Sequence, residues 1–365
     1  MTNARGIFLT GITGTLGREM LRELIQRPEN RLFLLVRAGN RNAPLARLEK
    51  IMEELGLSAD QRQRVAVLEG DITQPGFGLK AGDMQRLLAE VQVFYHVAAL
   101  TQLNGSKEDC ERINVGGTLA ALEIAKRLVK EGRLERFFYF STAYAAGSRQ
   151  KYHSREDALP EHPVFANFYE SSKYASETNV RKAFAAGLPG AIFRPSIVVG
   201  HSETGEVSQF NVIYPFMRLF AHGMLRILPT RLENSFNIVP IDFVVKAALA
   251  ISQKPECTGK TFHLVTRNPP AIETLIRVKK EDYPGMADPL VVAPSDFRRE
   301  DLEPAEQFIY DMLQPYLGYL NDDLTFDTTN TAAFLAGTGV EFPKTDAAFL
   351  RTLLRYAVGQ GYLVV

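Results

Sequence analysis

The sequence predicts an α/β fold in which a doubly wound parallel sheet is followed by a smaller, mostly helical C-terminal region. Apolar runs alternate with helical patterns through residues 1–200, as is typical of such a sheet. Several of these runs are continuously apolar, as expected for parallel strands that are buried on both faces. The first run ends in a glycine-rich turn that leads directly into a helix.

The predicted elements follow one another at short intervals. Leu48, Ile51 and Leu55, for example, recur at helical spacing. Strands are predicted at residues 6–10, 31–36, 65–68, 91–96, 136–140 and 194–200. Helices are predicted at residues 18–26, 43–55, 82–89, 114–130 and 168–187.

The composition is that of an ordinary globular chain and excludes several classes of function. Because Lys+Arg and Asp+Glu both number 42 among 365 residues, no global basic field favours nucleic acid. No apolar run approaches the ~20 residues of a transmembrane helix. Met1 leads almost directly into the first strand, so no signal peptide is expected.

The cysteines and histidines predict neither disulfides nor a metal site. Cys110 and Cys257 match no metal-ligand spacing and form no disulfide framework, which fits a reducing, cytoplasmic compartment. The six histidines are scattered without such spacing, and we expect them to be structural or surface residues.

Residues 6–17 carry the strongest motif. Gly11, Gly14 and Gly17 are spaced GxxGxxG between a predicted strand and a predicted helix. In such a motif the first glycine supplies the turn, the second admits a phosphate, and the third lets the helix pack on the strand. The N–H groups of the helix N-terminus then hold a pyrophosphate. The alternative is an ordinary turn that is rich in glycine.

Arg37 ends the second strand, about 20 residues past the glycines, where dinucleotide-binding units recognise the ribose. An Asp or Glu here would bind the 2′-hydroxyl of NAD, whereas an Arg accommodates the 2′-phosphate of NADP. A guanidinium presents a planar fork that suits phosphate. The residue therefore favours NADPH, and an ordinary surface charge is the alternative.

Two further strand ends are expected to contact this cofactor, because ligands of such sheets bind outside the carboxyl ends of the strands. Asp71 follows the third strand, where an adenine ring would rest, and is equally interpretable as a turn residue. Ala98 and Ala99 follow the fourth strand, and their small side chains would let a ribose lie close to the backbone.

Side chains suited to acid–base chemistry follow the fifth strand. Thr142 lies at its carboxyl end and would donate a hydrogen bond to a substrate oxygen that becomes negative. Tyr169 and Lys173 are four residues apart on one face of a predicted helix. An ammonium near a phenol is expected to lower the pKa of the phenol and make it a usable general acid. Tyr-x-x-x-Lys alone usually marks a solvated helix face, but its order after Thr142 favours a catalytic set.

With these residues in place, the chain resembles the extended short-chain dehydrogenase/reductases. Within them it is similar to the thioester reductase and fatty acyl-CoA reductase branch, the male-sterility-like NAD-binding group. The resemblance covers about the first two hundred residues, and weaker likeness continues at 238–242 and 326–330. The motifs that carry it are TGITGTLG (10–17), LLVRA (34–38), EGDIT (69–73), HVAAL (96–100), NVGGT (114–118), FSTAY (140–144), YESSK (169–173) and RPSIVVG (194–200).

The resemblance implies a Rossmann-type fold, NADP(H) as cofactor, and particular site residues. It assigns Thr142, Tyr169 and Lys173 to catalysis, with Asn114 as a fourth member and Ser141 as the fallback hydroxyl. It also implies that Lys173 binds the nicotinamide ribose. The implied cofactor-binding residues are Gly11, Thr13, Gly14, Thr15, Leu16, Gly17, Arg37, Asp71, Ile72, Ala98, Ala99, Tyr169, Lys173, Pro195, Ser196 and Ile197.

Residues 201–365 are expected to form the substrate-binding region, interleaved with the sheet around 236–266. A helix is predicted from Val212 to Leu228, and its apolar stripe would either line an acyl channel or pack inward. Because Arg218 and Arg226 are interleaved with it, a peripheral membrane contact is a weaker alternative. The stripe comprises Phe216, Leu219, Phe220, Met224, Leu225 and Ile227. A strand is predicted at 261–265, loops between short elements at 268–304, and helices at 305–320 and 346–359.

The resemblance implies an NADPH-dependent reductase that delivers hydride to an acyl thioester of CoA or of a carrier protein. The thiohemiacetal then collapses to an aldehyde, and a second hydride would give the alcohol. Because the chain begins at Met1 and carries neither an adenylation nor a carrier module, a free-standing enzyme is expected. Both a monomer and a homodimer are compatible with the sequence.

Two other interpretations stay open. One is another extended short-chain reaction, namely ketone reduction or the epimerisation or dehydration of a nucleotide sugar. The sequence shows no basic cluster for a second diphosphate, which disfavours the sugar version. The other is a non-redox thioester cyclase or a cofactor-binding scaffold. The intact set of Thr142, Tyr169 and Lys173 argues against it.

Overall fold

A computed structural model defines the fold and describes residues 4–37, 43–147, 152–210, 213–224 and 226–364. The motif residue Ala38, and Val212 and Leu225 of the predicted helix, lie outside these ranges. The strands are β1 Arg5–Thr10, β2 Asn30–Val36, β3 Val65–Glu69, β4 Val91–His96, β5 Arg136–Phe140, β6 Tyr152–Ser154, β7 Gly190–Pro195, β8 Ile197–Val199, β9 Ile227–Pro229, β10 Ile238–Pro240, β11 Thr261–Leu264, β12 Leu290–Val292 and β13 Leu324–Phe326. The α-helices are α1 Thr15–Leu24, α2 Ala43–Glu54, α3 Ala59–Gln63, α4 Ala81–Glu90, α5 Lys107–Cys110, α6 Gly117–Lys130, α7 Phe168–Ala185, α8 Ile213–Ala221, α9 Ile241–Ser252, α10 Ile272–Asp282, α11 Pro304–Leu317, α12 Thr329–Leu335 and α13 Ala347–Gly359.

The main sheet is parallel and carries helices on both faces. Within the described residues it has seven strands in the order β11-β7-β5-β4-β1-β2-β3, so the strand order reverses between β1 and β4. This order confirms the predicted doubly wound sheet. The carboxyl ends of β1 and β4 flank the point of reversal, which is where ligands of such sheets bind.

Two apolar layers hold the helices on the sheet. On one face, α1, α2 and α9 pack against the strands through side chains such as Leu21, Leu48 and Val244. On the other face, α4, α6 and α7 pack through side chains such as Leu122 and Val180. Burying one such side chain contributes about 1.5–3 kcal/mol, so these layers fix the loops at the carboxyl edge of the sheet.

A third apolar layer lies in the C-terminal region. It brings together α8, α10 and α13 with the short strands β8 and β10, which pair in parallel. A smaller cluster joins α8 to α11. Among the helices that the structure describes, none has both the length and the apolarity to cross a membrane.

Two elements of the first half differ from their predicted boundaries. The strand predicted at 194–200 is two strands, of which β7 lies in the main sheet and β8 pairs with β10. The chain changes partners after Pro195, which has no N–H to donate to a ladder. The helix predicted to start at Asn114 instead begins at Lys107 and passes through a π-helical turn at Glu111–Gly116.

Two predictions for the C-terminal half are also wrong. The helix predicted from Val212 to Leu228 ends at Ala221, because Gly223 adopts φ +63° and leaves the helical region; the chain then forms β9. The segment at 268–304, predicted as loops between short elements, contains the 11-residue helix α10, whose pattern was obscured by the prolines that flank it. The strand predicted at residues 261–265 and the two later helices are confirmed by β11, α11 and α13.

Candidate active site

One large cavity of about 500 Å³ opens at the carboxyl edge of the main sheet. Its walls come from the turn after β1, the ends of β2 to β5, the start of α7 and the link between β7 and β8. We call the part formed by residues 11–17 and Arg37 the glycine end, and the part formed by Thr142, Tyr169 and Lys173 the tyrosine end. Every residue that was expected to bind the cofactor lines this cavity.

The turn after β1 requires glycine at its first position. Gly11 adopts φ +82°, and a Cβ there would lie 2.7 Å from the backbone nitrogen of Ala98. The hydroxyl of the preceding Thr10 accepts hydrogen bonds from the N–H groups of Val97 and Ala98, at 3.2 Å each. The Thr10 hydroxyl therefore holds the loop after β4 against the turn, and no side chain of Gly11 separates the two backbones.

The N-terminus of α1 faces the same cavity. This helix begins at Thr15 with Gly14 as its N-cap, and no side chain of the described residues caps it. Its first N–H groups are thus available to an anion. A Cβ on Gly17 would collide with the carbonyl oxygen of Gly11, so glycine is needed for the helix to start this close to the turn.

Two arginines line the glycine end. Arg37 is exposed at the end of β2, as expected. Arg47 on α2 was not predicted; its Nη2 donates a hydrogen bond to the carbonyl of Thr13 at 3.0 Å. The only sequence signal for Arg47 is its place in the helix that follows Arg37. Two guanidinium groups beside a glycine turn favour a phosphate.

Asp71 uses its carboxylate in its own turn. Its Oδ1 accepts hydrogen bonds from the backbone N–H and the hydroxyl of Thr73, both at 2.8 Å. Asp71 also lines the cavity, together with Ile72, whose side chain packs against Gly117. The turn interpretation therefore holds, and an adenine contact stays a prediction.

Two hydroxyl groups meet at the tyrosine end. Thr142 is buried after β5; its hydroxyl accepts from the N–H of Tyr144 at 3.3 Å and donates to the carbonyl of Pro195 at 3.4 Å. Tyr169 lies on the first turn of α7, where the side chain of Asn167 caps the helix. The Thr142 hydroxyl interacts with that of Tyr169. Both can therefore act on the same substrate atom.

The pKa of Tyr169 is raised to about 12, and the predicted lowering is wrong. Burial has the largest effect on this pKa, and the neighbouring Thr142 hydroxyl opposes it. The ammonium of Lys173 donates to the carbonyl of Phe140 at 2.6 Å and lies 4.4 Å from the centre of the Tyr139 ring. Burial lowers the pKa of Lys173 to about 7. Desolvation is therefore the main cause of both pKa shifts, against the expectation that the ammonium would favour the phenolate.

Asn114 lies behind the cavity wall. It is buried on the π-helical turn, and its Oδ1 accepts from the N–H of Leu100 at 2.7 Å. Its Nδ2 donates to the carbonyl of Leu100 at 3.1 Å and to the hydroxyl of Ser172 at 2.8 Å. These contacts tie the loop after β4 to α7 and are those of a positioning residue.

A buried ion pair supports the tyrosine end from behind. Glu177 on α7 accepts from the guanidinium of Arg194 on β7, with Nη2 and Oε1 2.6 Å apart, and neither side chain is more than 1% exposed. Burial raises the pKa of Glu177, but the positive charge of Arg194 lowers it further, to a net value of about 2. The pair joins the helix that carries Tyr169 to the neighbouring strand.

Ser196 presents an unused polar group to the cavity. Its hydroxyl is buried and has no hydrogen-bond partner among the described residues, and the residue lies in the cavity wall between Pro195 and Ile197. Such a group costs about 1–3 kcal/mol, which a polar ligand atom would relieve. This hydroxyl, the bare glycine turn and the uncapped helix together fit a nicotinamide dinucleotide along the cavity.

Tyr319 reaches the tyrosine end from the far end of the chain, and no sequence signal predicted it. Its ring packs edge-on against Tyr144, with the ring centres 4.6 Å apart. Its hydroxyl donates to Glu170, 149 residues away, at 2.5 Å, and accepts from the amide of Asn167 at 3.1 Å. Only the tertiary fold brings these residues together.

Of the side chains of the predicted acyl stripe that the structure describes, none lines the large cavity. Phe216 lines a separate cavity, whereas Leu219 and Met224 line a surface groove. The helix is too short to hold all of these side chains on one face. Within the described ranges, no group of His, Cys, Asp and Glu could hold a metal ion.

The sequence matches a known family over most of the cavity-forming part. Residues 9–248 match the family model described as male sterility protein, an NAD-binding domain. The chain is 30% identical over 359 residues to the nonribosomal peptide synthetase asaC of Aspergillus flavus, covering 91% of this chain and 34% of that protein. It is 26% identical to the fatty acyl-CoA reductase wat of Drosophila melanogaster, covering 67% of this chain and 53% of that protein.

Solved structures share the complete fold. The terminal R domain from the myxalamid PKS-NRPS biosynthetic pathway is 28% identical with a TM-score of 0.84, covering 99% of this chain and 92% of that chain. UDP-glucuronic acid 4-epimerase from Bacillus cereus in complex with NAD is 16% identical with a TM-score of 0.68, covering 98% of this chain and 99% of that chain. At this identity the likeness shows a common fold and nothing more. The chain spans about a third of the length of the synthetase and about half of the length of the fatty acyl-CoA reductase. Free-standing activity therefore stays a prediction.

Proposed function

Because the chain belongs to the male sterility protein family of NAD-binding domains, we propose that it is an NADPH-dependent reductase of acyl thioesters. One observation carries the proposal: the glycine turn, two arginines and the set Thr142, Tyr169 and Lys173 line a single cavity. The relatives support the substrate class, because one is a fatty acyl-CoA reductase and another a nonribosomal peptide synthetase.

The glycine end is the proposed site for the cofactor phosphates. The N–H groups at the start of α1 would hold the pyrophosphate. Arg37 and Arg47 would hold the 2′-phosphate, which supports NADPH over NADH. When bound, NADPH supplies a hydride to the carbonyl carbon of the substrate. The buried hydroxyl of Ser196, which has no hydrogen-bond partner among the described residues, would form a hydrogen bond with the nicotinamide.

The tyrosine end is the proposed site for the reacting carbonyl oxygen. Because the pKa of Tyr169 is about 12, its phenol is protonated at neutral pH and can donate a proton to this oxygen. The Thr142 hydroxyl would turn its one proton from the carbonyl of Pro195 to this oxygen and so donate a second hydrogen bond as negative charge develops. The ammonium of Lys173 has three protons, so it can keep its bond to Phe140 and bind a ribose hydroxyl as well.

The proposed first product is an aldehyde. Addition of a hydride to the carbonyl carbon and of a proton to its oxygen would give a thiohemiacetal. Its collapse breaks the C–S bond, transfers the hydroxyl proton to the leaving sulfur, and so releases a thiol and the aldehyde. A second reduction at the same site would give the alcohol. The thiol belongs to CoA or to a carrier protein, since both present the same pantetheine thioester to the cavity.

A cytoplasmic location is part of the proposal. Cys110 and Cys257 are both buried and unpaired. Unpaired thiols suit a reducing compartment, where disulfides are rare.

Loss of NADPH absorbance in the presence of acyl-CoA and acyl-pantetheine thioesters tests the function. We expect NADPH oxidation with thiol release, at one thiol per NADPH if the product is the aldehyde and one thiol per two NADPH if it is the alcohol. Tyr169→Phe removes the acid but keeps the ring, so kcat should fall by about 100- to 10,000-fold while NADPH affinity changes little.

A matched control comes from the same helix. Tyr174 donates its hydroxyl to the carbonyl of Pro160 at 2.9 Å, outside the cavity, so Tyr174→Phe should keep its activity. Equal activity of the Tyr169 variant and the wild type, or tight NADPH binding without oxidation on any thioester, would contradict the proposal.

A further inference from the structure

A second cavity, which we call the apolar cavity, lies inside the C-terminal region. Its volume is about 80 Å³, and its walls come from β8, α8, α10, α13 and the end of α11. Phe216, Ile276 and Leu354 are typical of the lining, which is almost wholly apolar. A space of this kind stays dry and favours an alkyl or aryl group.

The one ammonium among the described lining residues is engaged elsewhere. Lys279 is buried, and its Nζ donates to the carbonyls of Met286 at 2.8 Å and Ala287 at 3.1 Å. It also forms an ion pair with Asp288. The ammonium therefore closes the loop after α10 and leaves its methylene stem as lining surface.

The apolar cavity adjoins the tyrosine end of the large cavity. Ile197 and Tyr319 line both cavities. The ring of Tyr319 packs on Tyr144, which is two residues from Thr142. Of the described residues at the glycine end, none lines the apolar cavity. The side chains of Ile197 and Tyr319 therefore separate the tyrosine end from the apolar space.

Tyr319, which lies between the two cavities, is held in place by contacts on two sides. Its ring contacts Tyr144, and its hydroxyl is fixed by Glu170 and Asn167 from the first turn of α7. Because Glu170 follows Tyr169 directly, the helix turn that carries the proposed acid also sets the position of Tyr319.

We infer that the apolar cavity is the subsite for the acyl chain, with Ile197 and Tyr319 as specificity-determining residues at its entrance. The inference rests on the proposed function, because it places the thioester carbonyl at Thr142. An engineered cavity of about 150 Å³ admits benzene, so about 80 Å³ suits the last few methylenes of a straight chain. A charged acyl end is disfavoured, because it would lose its hydration without gaining a partner.

The first test measures kcat/KM with straight-chain acyl-CoA thioesters from acetyl to palmitoyl. For the wild type, kcat/KM should rise about fourfold for each methylene that enters the cavity, and then level off or fall. Ile276→Phe fills the cavity and should move the optimum to shorter chains. Ile276→Ala enlarges it and should move the optimum to longer chains.

Val358 provides the matched control. It is partly buried against the same apolar layer but lies outside the cavity lining. Val358→Phe and Val358→Ala should therefore keep the wild-type chain-length profile. An unchanged profile in both Ile276 variants, or an equal loss at every chain length, would overturn the inference.

A second test separates this inference from the proposed function. Alkyl pantetheine thioethers cannot be reduced, so their equilibrium binding does not depend on hydride transfer. Affinity should rise with chain length in the wild type and peak at a shorter chain in Ile276→Phe. If no thioester is reduced but this pattern appears, the proposed function fails and the subsite stands. Affinity that is independent of chain length overturns the subsite whatever the activity.

Discussion

At the glycine end of the large cavity, the wall is mainly backbone from residues 11–17, with the exposed Arg37 and Arg47 beside it. At the tyrosine end, the wall is made of side chains, and Thr142 and Lys173 are buried. The glycine end can therefore meet phosphates with N–H groups and exposed guanidinium groups. The tyrosine end instead keeps the hydroxyl of Thr142 and the amine of Lys173 away from bulk water.

The two ends also differ in how far along the chain their supports lie. The glycine turn is closed locally, by a hydrogen bond of 3.0 Å from the N–H of Gly14 to the carbonyl of Gly11. The tyrosine end depends on Glu177 bound to Arg194 and on Glu170 bound to Tyr319. Loss of the arginines at the glycine end should therefore change binding alone. Loss of the supports behind the tyrosine end should change stability as well.

The largest expected effect on stability comes from Glu177→Gln. This change leaves the buried Arg194 without its negative partner, and breaking such a pair costs about 3–5 kcal/mol in the free energy of unfolding. Urea unfolding followed by circular dichroism measures the loss. Glu123→Gln, at an exposed ion pair with Lys126, serves as the control and should leave the urea midpoint unchanged. Equal urea midpoints for Glu177→Gln and Glu123→Gln would contradict the view that the supports behind the tyrosine end stabilise the fold.

Acid should weaken the same pair in a defined range. Burial raises the pKa of Glu177, but Arg194 lowers it to about 2, below the usual 4.5. The ionised carboxylate therefore stabilises the fold fully above about pH 4.5, and this contribution of about 3 kcal/mol is lost as the pH falls toward 2. The gap in urea midpoint between the wild type and Glu177→Gln should shrink over this range. A gap that is independent of pH would contradict the assignment.

A smaller effect, confined to binding, is expected at the glycine end. The double substitution Arg37→Ala and Arg47→Ala removes two charged donors, so KM for NADPH should rise by roughly 10- to 100-fold. The KM for NADH, which has no 2′-phosphate, serves as the internal control and should hardly change. The urea midpoint should also stay constant. A parallel rise in both KM values would show that the arginines do not read the 2′-phosphate.

The elements of the sheet could be predicted because their signals are local. Apolar runs mark the buried strands, and Gly11 and Gly17 stand where the backbone leaves no room for a Cβ. The family resemblance, which short local motifs carry, implied further residues that line the cavity, among them Ser196. Local sequence patterns therefore predict most of the strands and helices in the first 200 residues.

The features that the sequence missed depend on distant contacts or on desolvation. Tyr319 enters the cavity through partners that lie far away in the chain, which no spacing reveals. The raised pKa of Tyr169 follows from burial that only the folded chain creates. The helix α8 was predicted too long, because the apolar content of the segment outweighed Gly223, which follows the end of the helix at Ala221. The helix α10 was missed because the prolines around it are typical of loops.

The central claim is that a hydride reaches a thioester carbonyl at the tyrosine end. We would test it with NADPH deuterated at C4 on either face, an acyl-CoA substrate, and mass spectrometry of the trapped product. The account predicts an aldehyde that carries one deuterium from one of the two labelled forms. Thiol release that yields only unlabelled acid or cyclised product from both forms would contradict it.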